Sequence, residues 1–362
     1  MPETATITAT APTTAPCLVA DIGGTHARFA VHAQGVLHAV RTLRCADHAT
    51  LVAALQAYRQ EVCQPGSGLP WPHHAALAVA YTPGGDVVRM TNHAWVFSQD
   101  ALRAAMGWEH LLVLNDFTAL ALGLPQIPAA QLQQVGGAPH PDGPAWDQIP
   151  AGALLGVLGP GTGLGVSGLW RTERGRWQAL DSEGGHATWA AVTARERLVF
   201  DALMARYGHV SVERVASGPG LAEVYSILGA SLPGSAMPPS AALTPAQVTE
   251  RALNGSDEAA TEALQMFCAA LGSLAGNLAL TLGARHGVLV GGGIVPRLGA
   301  WFGRSAFRSA FDSKGRYQPW LAQVPVWVVH APESPAMRGA AWALQDALVR
   351  RSAAGRVGQS AG

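Results

Sequence analysis

The chain has 362 residues, of which 49% are hydrophobic and 13% charged, a composition that predicts two globular domains with ample core. Lysine plus arginine and aspartate plus glutamate both total 24, so the chain lacks the net positive charge that is typical of a nucleic-acid-binding protein. No apolar stretch reaches the roughly 18–20 residues of a membrane span without glycine or polar breaks. We therefore expect no nucleic-acid partner and no membrane partner.

The first sixteen residues are rich in threonine, alanine and proline, with neither a basic start nor an apolar signal core. This pattern predicts a disordered tail at 1–16 rather than a targeting peptide. The four cysteines form no CxxC pair, so we expect buried thiols in a reducing cytosol. Together these features predict a cytoplasmic protein.

The first half then alternates apolar runs, turn signals and helical patterns, which is typical of an α/β protein. Ser98 is the expected N-cap of one helix and Gly107 its C-terminal stop. The last strand of this half places Asp116 at its carboxyl end. The predicted elements are strands at 17–23, 28–32, 35–44, 75–80 and 111–115, and helices at 50–62 and 99–107.

The second half repeats the strand–glycine–strand plan after a loop rich in glycine and proline at 136–151. Capping-box patterns begin helices at Thr193 and Thr244. The blocks 17–44 and 153–180 indicate an ancient duplication, and hence two related α/β halves with a cleft between them. The predicted elements are strands at 153–159, 165–170, 288–291 and 324–330, and helices at 257–282 and 335–350.

Two nucleotide-binding classes are excluded by local sequence. Lys314 is the only lysine and is followed by Gly315, whereas a Walker A loop requires Gly-Lys-Ser/Thr. The segment 163–168 matches the GxGxxG of a Rossmann dehydrogenase, but it continues as a strand and turn instead of opening a helix.

Three glycine-rich segments follow apolar runs: DIGGTHAR from Asp21, GPGTGLG from Gly159 and VGGGIVP from Val290. Glycine lets backbone N–H groups approach phosphate oxygens closely, and Thr25 and Thr162 add hydroxyl donors. Asp21 precedes the first turn, where a carboxylate can hold Mg²⁺ directly or through water. The order of the segments predicts an ATP-binding protein with a second small substrate.

These segments resemble the phosphate 1, phosphate 2 and adenosine motifs of the hexokinase branch of the actin-like ATPase superfamily. Within that branch the chain closely resembles the bacterial glucokinase family, from residue 21 to about 316. The resemblance is carried by DIGGTHARFA, MTNHAWVFS, LNDFTA, GPGTGLG, EGGH, GHVSVERVASGPGL, GNLAL, GGGIVPR and SKGR.

The resemblance implies an α/β, two-domain actin-like ATPase (ribonuclease H-like) fold with an interdomain cleft. It places a small α/β domain at 17–116, completed by a C-terminal helix at about 335–351, and a large α/β domain at 117–334. It also implies a homodimer. The implied activity is ATP-dependent phosphorylation of D-glucose at the 6-hydroxyl, giving glucose 6-phosphate and ADP.

The resemblance also assigns site residues. Asp116 is the general base, and the sugar-binding residues are Asn115, Asp116, Glu183, His186 and Glu213. Carboxylates, an amide and an imidazole suit a ring of hydroxyls, each of which is both donor and acceptor. The resemblance also implies that Asp21 binds magnesium, directly or through water. The nucleotide-binding positions that it implies are Ala20, Asp21, Ile22, Gly23, Gly24, Thr25, Gly161, Thr162, Gly163, Gly291, Gly292 and Gly293.

Two alternatives and one departure from the family pattern stay open. His26 stands where the family's first loop usually has asparagine, which bears on phosphate affinity and its pH dependence. The alternatives are a kinase of the same superfamily acting on another small molecule, and a non-catalytic sugar sensor. The remaining histidines, including the pair His73–His74, show no ligand spacing, so we expect no tightly bound zinc.

Overall fold

The structure, a computed structural model, describes residues 15–63, 69–81, 84–91, 93–140, 143–231 and 243–359, with side chains up to Arg351. The tail predicted at 1–16 lies outside these residues except for its last two positions.

Alternating strands and helices make up the chain. The strands are β1 (Cys17–Ile22), β2 (His26–Ala33), β3 (Val36–Arg44), β4 (His74–Val79), β5 (Val87–Arg89), β6 (Val96–Ser98), β7 (His110–Asn115), β8 (Leu132–Gln134), β9 (Leu154–Pro160), β10 (Leu164–Arg171), β11 (Trp177–Leu180), β12 (Val288–Val290) and β13 (Val326–Val329). The helices are α1 (Leu51–Val62), α2 (Gln99–Met106), α3 (Asp116–Gly123), α4 (Ala194–Tyr207), α5 (Gly218–Ala230), α6 (Pro245–Asn254), α7 (Glu258–Leu282), α8 (Val295–Leu298), α9 (Phe307–Asp312), α10 (Gln318–Leu321) and α11 (Pro335–Gln359).

The strands and helices predicted from the sequence are present, with bounds that agree to within two residues except at one end. Both predicted capping boxes form, since Thr193 and Thr244 each accept a bond from the third helical residue, whose side chain bonds back. The exception is α11, which continues to Gln359 past its predicted end at 350.

The chain divides into two compact units, residues 1–126 with 333–362, and residues 127–332. The first unit extends past the boundary predicted at 116 because α3 packs against α11. Small residues allow this contact, since a Cβ added at Gly339 of α11 would lie 1.8 Å from the carbonyl oxygen of Ala119 in α3. The helix α11 also covers one face of β1 and β4.

Each unit is built on one sheet, and the two sheets have the same plan. The first has the order β3-β2-β1-β4-β7, antiparallel from β3 to β1 and parallel from β1 to β7. The second has the order β11-β10-β9-β12-β13 with the same directions, and an antiparallel edge strand β8. The shared plan agrees with the predicted duplication. The GxGxxG match lies largely within β10, so it opens no helix.

The helix α7 forms the core of the second unit. By length and composition alone it could cross a membrane, with a mean hydropathy of 1.5 in its most apolar window. However, 67% of that window is buried inside the structure. It packs against α5, α6 and α9, so its apolar composition is explained by its central position.

Candidate functional site

The carboxyl end of β7 carries two polar residues that begin α3. Asn115 is the N-cap, and its Oδ1 accepts bonds from the backbone N–H groups of Phe117 at 2.8 Å and Thr118 at 3.1 Å. Its Nδ2 donates to the carbonyl oxygen of Tyr81 at 3.0 Å. The orientation of the Asn115 amide is therefore fixed by the backbone on both sides.

Asp116 is the first residue of α3 and is partly buried. At this position the carboxylate lies at the positive end of the helix dipole. Its neighbour Asn115 lies in direct register with Val79 of β4, and Val79 with Ile22 of β1. With neighbouring strands about 4.8 Å apart, the end of β7 is about 10 Å from the end of β1.

The predicted first phosphate loop is the tight turn between β1 and β2. The N–H of Gly23 donates to the carbonyl oxygen of His26 at 3.0 Å, and the carbonyl oxygen of Thr25 accepts from the N–H of Cys45 at 2.9 Å. The side chains of Ala20 and Ile22 are fully buried, so these two residues support the turn from the core.

Asp21 is the charged group beside this turn. Its Oδ2 accepts a bond from the hydroxyl of Ser334 at 2.7 Å and forms an ion pair with Arg28 at 3.1 Å. Ser334 lies immediately before α11, so the end of the chain helps to orient the carboxylate.

In the second unit, Glu213 lies against the turn between β9 and β10. Its Oε2 accepts a bond from the N–H of Leu164 at 2.7 Å. A Cβ added at Gly163 would lie 2.6 Å from the same oxygen, so any side chain there would displace the carboxylate. Gly163 is therefore required for Glu213 to reach this position.

Three of the predicted sugar-binding residues come together in this unit. The imidazole Nδ1 of His186 is 4.0 Å from Oε1 of Glu213, and its Nε2 is 4.0 Å from Oε2 of Glu183. His186 and Glu183 each have 59% of the side chain exposed, against 29% for Glu213. These distances exceed those of hydrogen bonds, so the groups remain open to a polar ligand.

The predicted second phosphate loop is the turn between β9 and β10, and it is bonded to the start of α5. The N–H of Gly161 donates to the carbonyl oxygen of Gly163 at 2.8 Å, and the carbonyl oxygen of Gly161 accepts from the N–H of Gly218 at 2.9 Å, which ties the turn to the start of α5. The third glycine segment runs beside them. The N–H of Gly291 bonds to Leu158 of β9 at 2.8 Å, and Gly292 has a φ of +78°.

A cavity of about 880 Å³ opens between these turns and α6. Its volume is that of a small-molecule site, and apolar walls with a few polar groups suit a nucleoside. The lining residues are Gly161, Thr162, Gly218, Pro219, Leu221, Thr244, Pro245, Ala246, Thr249, Glu250, Leu253, Asn254, Ile294 and Arg297.

A sequence model of the glucokinase family matches residues 18–347. The chain belongs to the glucokinase family. It is 48% identical over 337 residues to the glucokinase of Aromatoleum aromaticum, covering 92% of this chain and 96% of that protein.

Solved structures agree with this assignment. A glucokinase from an Antarctic psychrotroph is 35% identical with a TM-score of 0.74, covering 91% of this chain and 99% of that one. A ROK-family glucokinase from Streptomyces griseus, solved with glucose and AMPPNP, is 17% identical with a TM-score of 0.58, covering 91% and 99%. At 17% identity, the Streptomyces griseus structure supports only a shared fold. The chain therefore has the two-domain α/β actin-like ATPase fold.

Sequence reasoning missed most of the cavity wall in this member of the glucokinase family. Gly161 and Thr162 were predicted to bind nucleotide, but the start of α5, the face of α6 and Arg297 were not. The signals were present in GPGL from Gly218, in TPAQ from Thr244 and in IVPR from Ile294. The second was interpreted only as a helix start, and the other two only as parts of motifs that carry the family resemblance.

Proposed function

We propose that this chain transfers the γ-phosphoryl group of ATP to the 6-hydroxyl of D-glucose, giving glucose 6-phosphate and ADP. The observation that carries the proposal is the bond between Glu213 and the N–H of Leu164, beside the turn of Gly161, Thr162 and Gly163. This bond joins a predicted sugar-binding residue to a predicted nucleotide-binding turn. The family match over 18–347 supports the same activity.

In this proposal the sugar hydroxyls bind to Asn115, Glu183, His186 and Glu213. Asn115 uses both acceptor positions of its oxygen and one N–H within the described residues, which leaves its second N–H for a sugar hydroxyl. A site built to bond particular hydroxyls leaves buried polar groups unpaired with an epimer, which is the basis of hexose specificity.

Asp116 is the general base. As an ionised carboxylate at the start of α3, it accepts the proton of the 6-hydroxyl as the oxygen attacks the γ-phosphorus in line. A positioned base of this kind contributes on the order of 10²–10⁴-fold to turnover. Fixing Asn115 on both sides also fixes the backbone that carries Asp116.

The nucleotide binds through the glycine turns. The turn of Gly23, Gly24 and Thr25 and the turn of Gly161, Thr162 and Gly163 contact the phosphates through the N–H groups and hydroxyls that are not bonded within the turns. Gly291, Gly292 and Gly293 contact the adenosine, and the cavity beside α6 holds the nucleoside. Asp21 is a suitable oxygen donor for Mg²⁺, directly or through water, with Oδ2 held by Arg28 and Ser334. Bound magnesium would neutralise triphosphate charge.

Oligomeric state and location stay predictions: a cytoplasmic homodimer, with no nucleic-acid or membrane partner. The interdomain cleft also stays a prediction.

A hexose panel tests the proposal against its two alternatives. We expect ADP formation from Mg-ATP with glucose and little with fructose, mannose, galactose or no sugar, measured by a coupled assay. Turnover with another small molecule but not with glucose would favour a kinase of the same superfamily with a different substrate. If no sugar in the panel supports ADP formation but calorimetry shows that glucose binds, the result would favour the non-catalytic sugar sensor.

The substitution Asp116→Asn tests the base. Because the amide cannot accept the proton, we expect turnover to fall by at least about 10² with glucose binding retained. The matched control is Asp100→Asn, which also removes a carboxylate from the first turn of a helix but is 84% exposed. Near-normal turnover in Asp116→Asn would refute the assignment.

The pair Gly163→Ala and Gly161→Ala tests the position of Glu213. The first adds a Cβ 2.6 Å from Oε2 of Glu213, whereas the second meets nothing within 4 Å. Displacement of Glu213 removes a charge-assisted hydrogen bond to glucose. We therefore expect glucose to bind at least about tenfold more weakly in Gly163→Ala and with unchanged affinity in Gly161→Ala. Calorimetry without nucleotide measures it, and equal affinities in the two variants would contradict the predicted role.

The substitution Ala246→Trp tests the cavity. The indole would occupy volume that the nucleoside requires, so we expect the KM for ATP to rise by at least about tenfold. Turnover at saturating ATP should change little, and Ala246→Ser is the size control. An unchanged KM in Ala246→Trp would place the nucleoside elsewhere.

A further inference from the structure

Two histidines meet at the amino-terminal edge of the first sheet. His74 begins β4 and His110 begins β7, and the two are direct partners in the parallel register. Paired residues of parallel strands project to the same face. This is the face covered by α11, because the alternating residues Ala76 and Leu112 pack in the cluster with that helix.

The geometry of the pair matches that of two ligands on one metal ion. The Nδ1 atoms of His74 and His110 are 3.3 Å apart, with ring centroids at 5.1 Å. Two nitrogens at about 2.0–2.1 Å from a tetrahedral zinc ion lie about 3.3–3.4 Å from each other. Glu109 adds a third donor, since one ligand atom from each of the three residues lies within 4.8 Å of the others.

The carboxylate that provides the third donor is accessible to an ion. The Glu109 carboxylate is exposed and lies 3.8 Å from His73, a pairing weak enough to be exchanged for a metal.

Contrary to the expectation drawn from the spacing of the histidines, we propose that His74, His110 and Glu109 bind a divalent transition-metal ion, with water as the fourth ligand. Zn²⁺ is a suitable probe for this site. The site is separate from the phosphate turns. His110 is five residues from Asn115 along β7, which is about 16 Å at a rise of about 3.3 Å per residue. Bound metal joins the ends of β4 and β7 beneath α11 and stabilises the first unit.

The experiment uses the full chain, stripped of metal by a chelator and held in excess Mg²⁺. Titration with Zn²⁺ in a calorimeter should show about one site per chain, and Zn²⁺ should raise the melting temperature. Substitution by Co²⁺ should give the visible absorption of a tetrahedral site with nitrogen ligands. The variants His74→Gln and His110→Gln should each bind Zn²⁺ at least about tenfold more weakly.

Two histidine variants provide controls. His73→Gln changes the adjacent exposed imidazole, and His186→Gln changes the imidazole between Glu183 and Glu213; both should bind Zn²⁺ as the unaltered chain does. Circular-dichroism melting without metal checks that each variant folds. Undetectable binding, unaltered affinity in His74→Gln, or an equal loss in either control would overturn the proposal.

Discussion

The parallel pairing of the central strands is the constraint on which the arrangement of functional groups depends. Strands that run in the same direction end at the same edge of a sheet. In the first unit this brings the β1–β2 turn and Asn115 to one edge, in direct register through Val79. In the second unit it brings the β9–β10 turn beside the glycines that follow β12, with Leu158 opposite Val290. Open α/β sheets generally bind ligands at this edge.

The same constraint explains what sequence could and could not predict. The strands, the capping boxes and the two glycine-rich turns at 23–25 and 161–163 were predictable because their signals are local. The helix α3 was not predicted as a helix, because DFTALALG is apolar on all sides and follows directly on a strand. Asp116 was therefore predicted at a strand end, without the helix that begins at it.

Contacts between distant segments account for the rest. The cavity wall comes from α5, α6 and the residues after β12, whose proximity depends on how these elements pack around α7. Likewise, 36 residues separate His74 from His110, so no spacing rule could pair them. The bond between Glu213 and Leu164 was not predicted either, although the sequence contained both Glu213, in SVER, and the required Gly163.

The discontinuity of the first unit affects the order in which the chain can fold during synthesis. The sheet of β1, β4 and β7 is synthesised before the second unit, but the helix that covers one of its faces is synthesised after that unit. The second unit is contiguous and can reach its native packing while that face is still exposed to solvent. A chain that stops before α11 would leave an apolar sheet face uncovered, and a chaperone would recognise such a surface. In a protein with this connectivity, that face of the sheet is covered only after α11 has been synthesised.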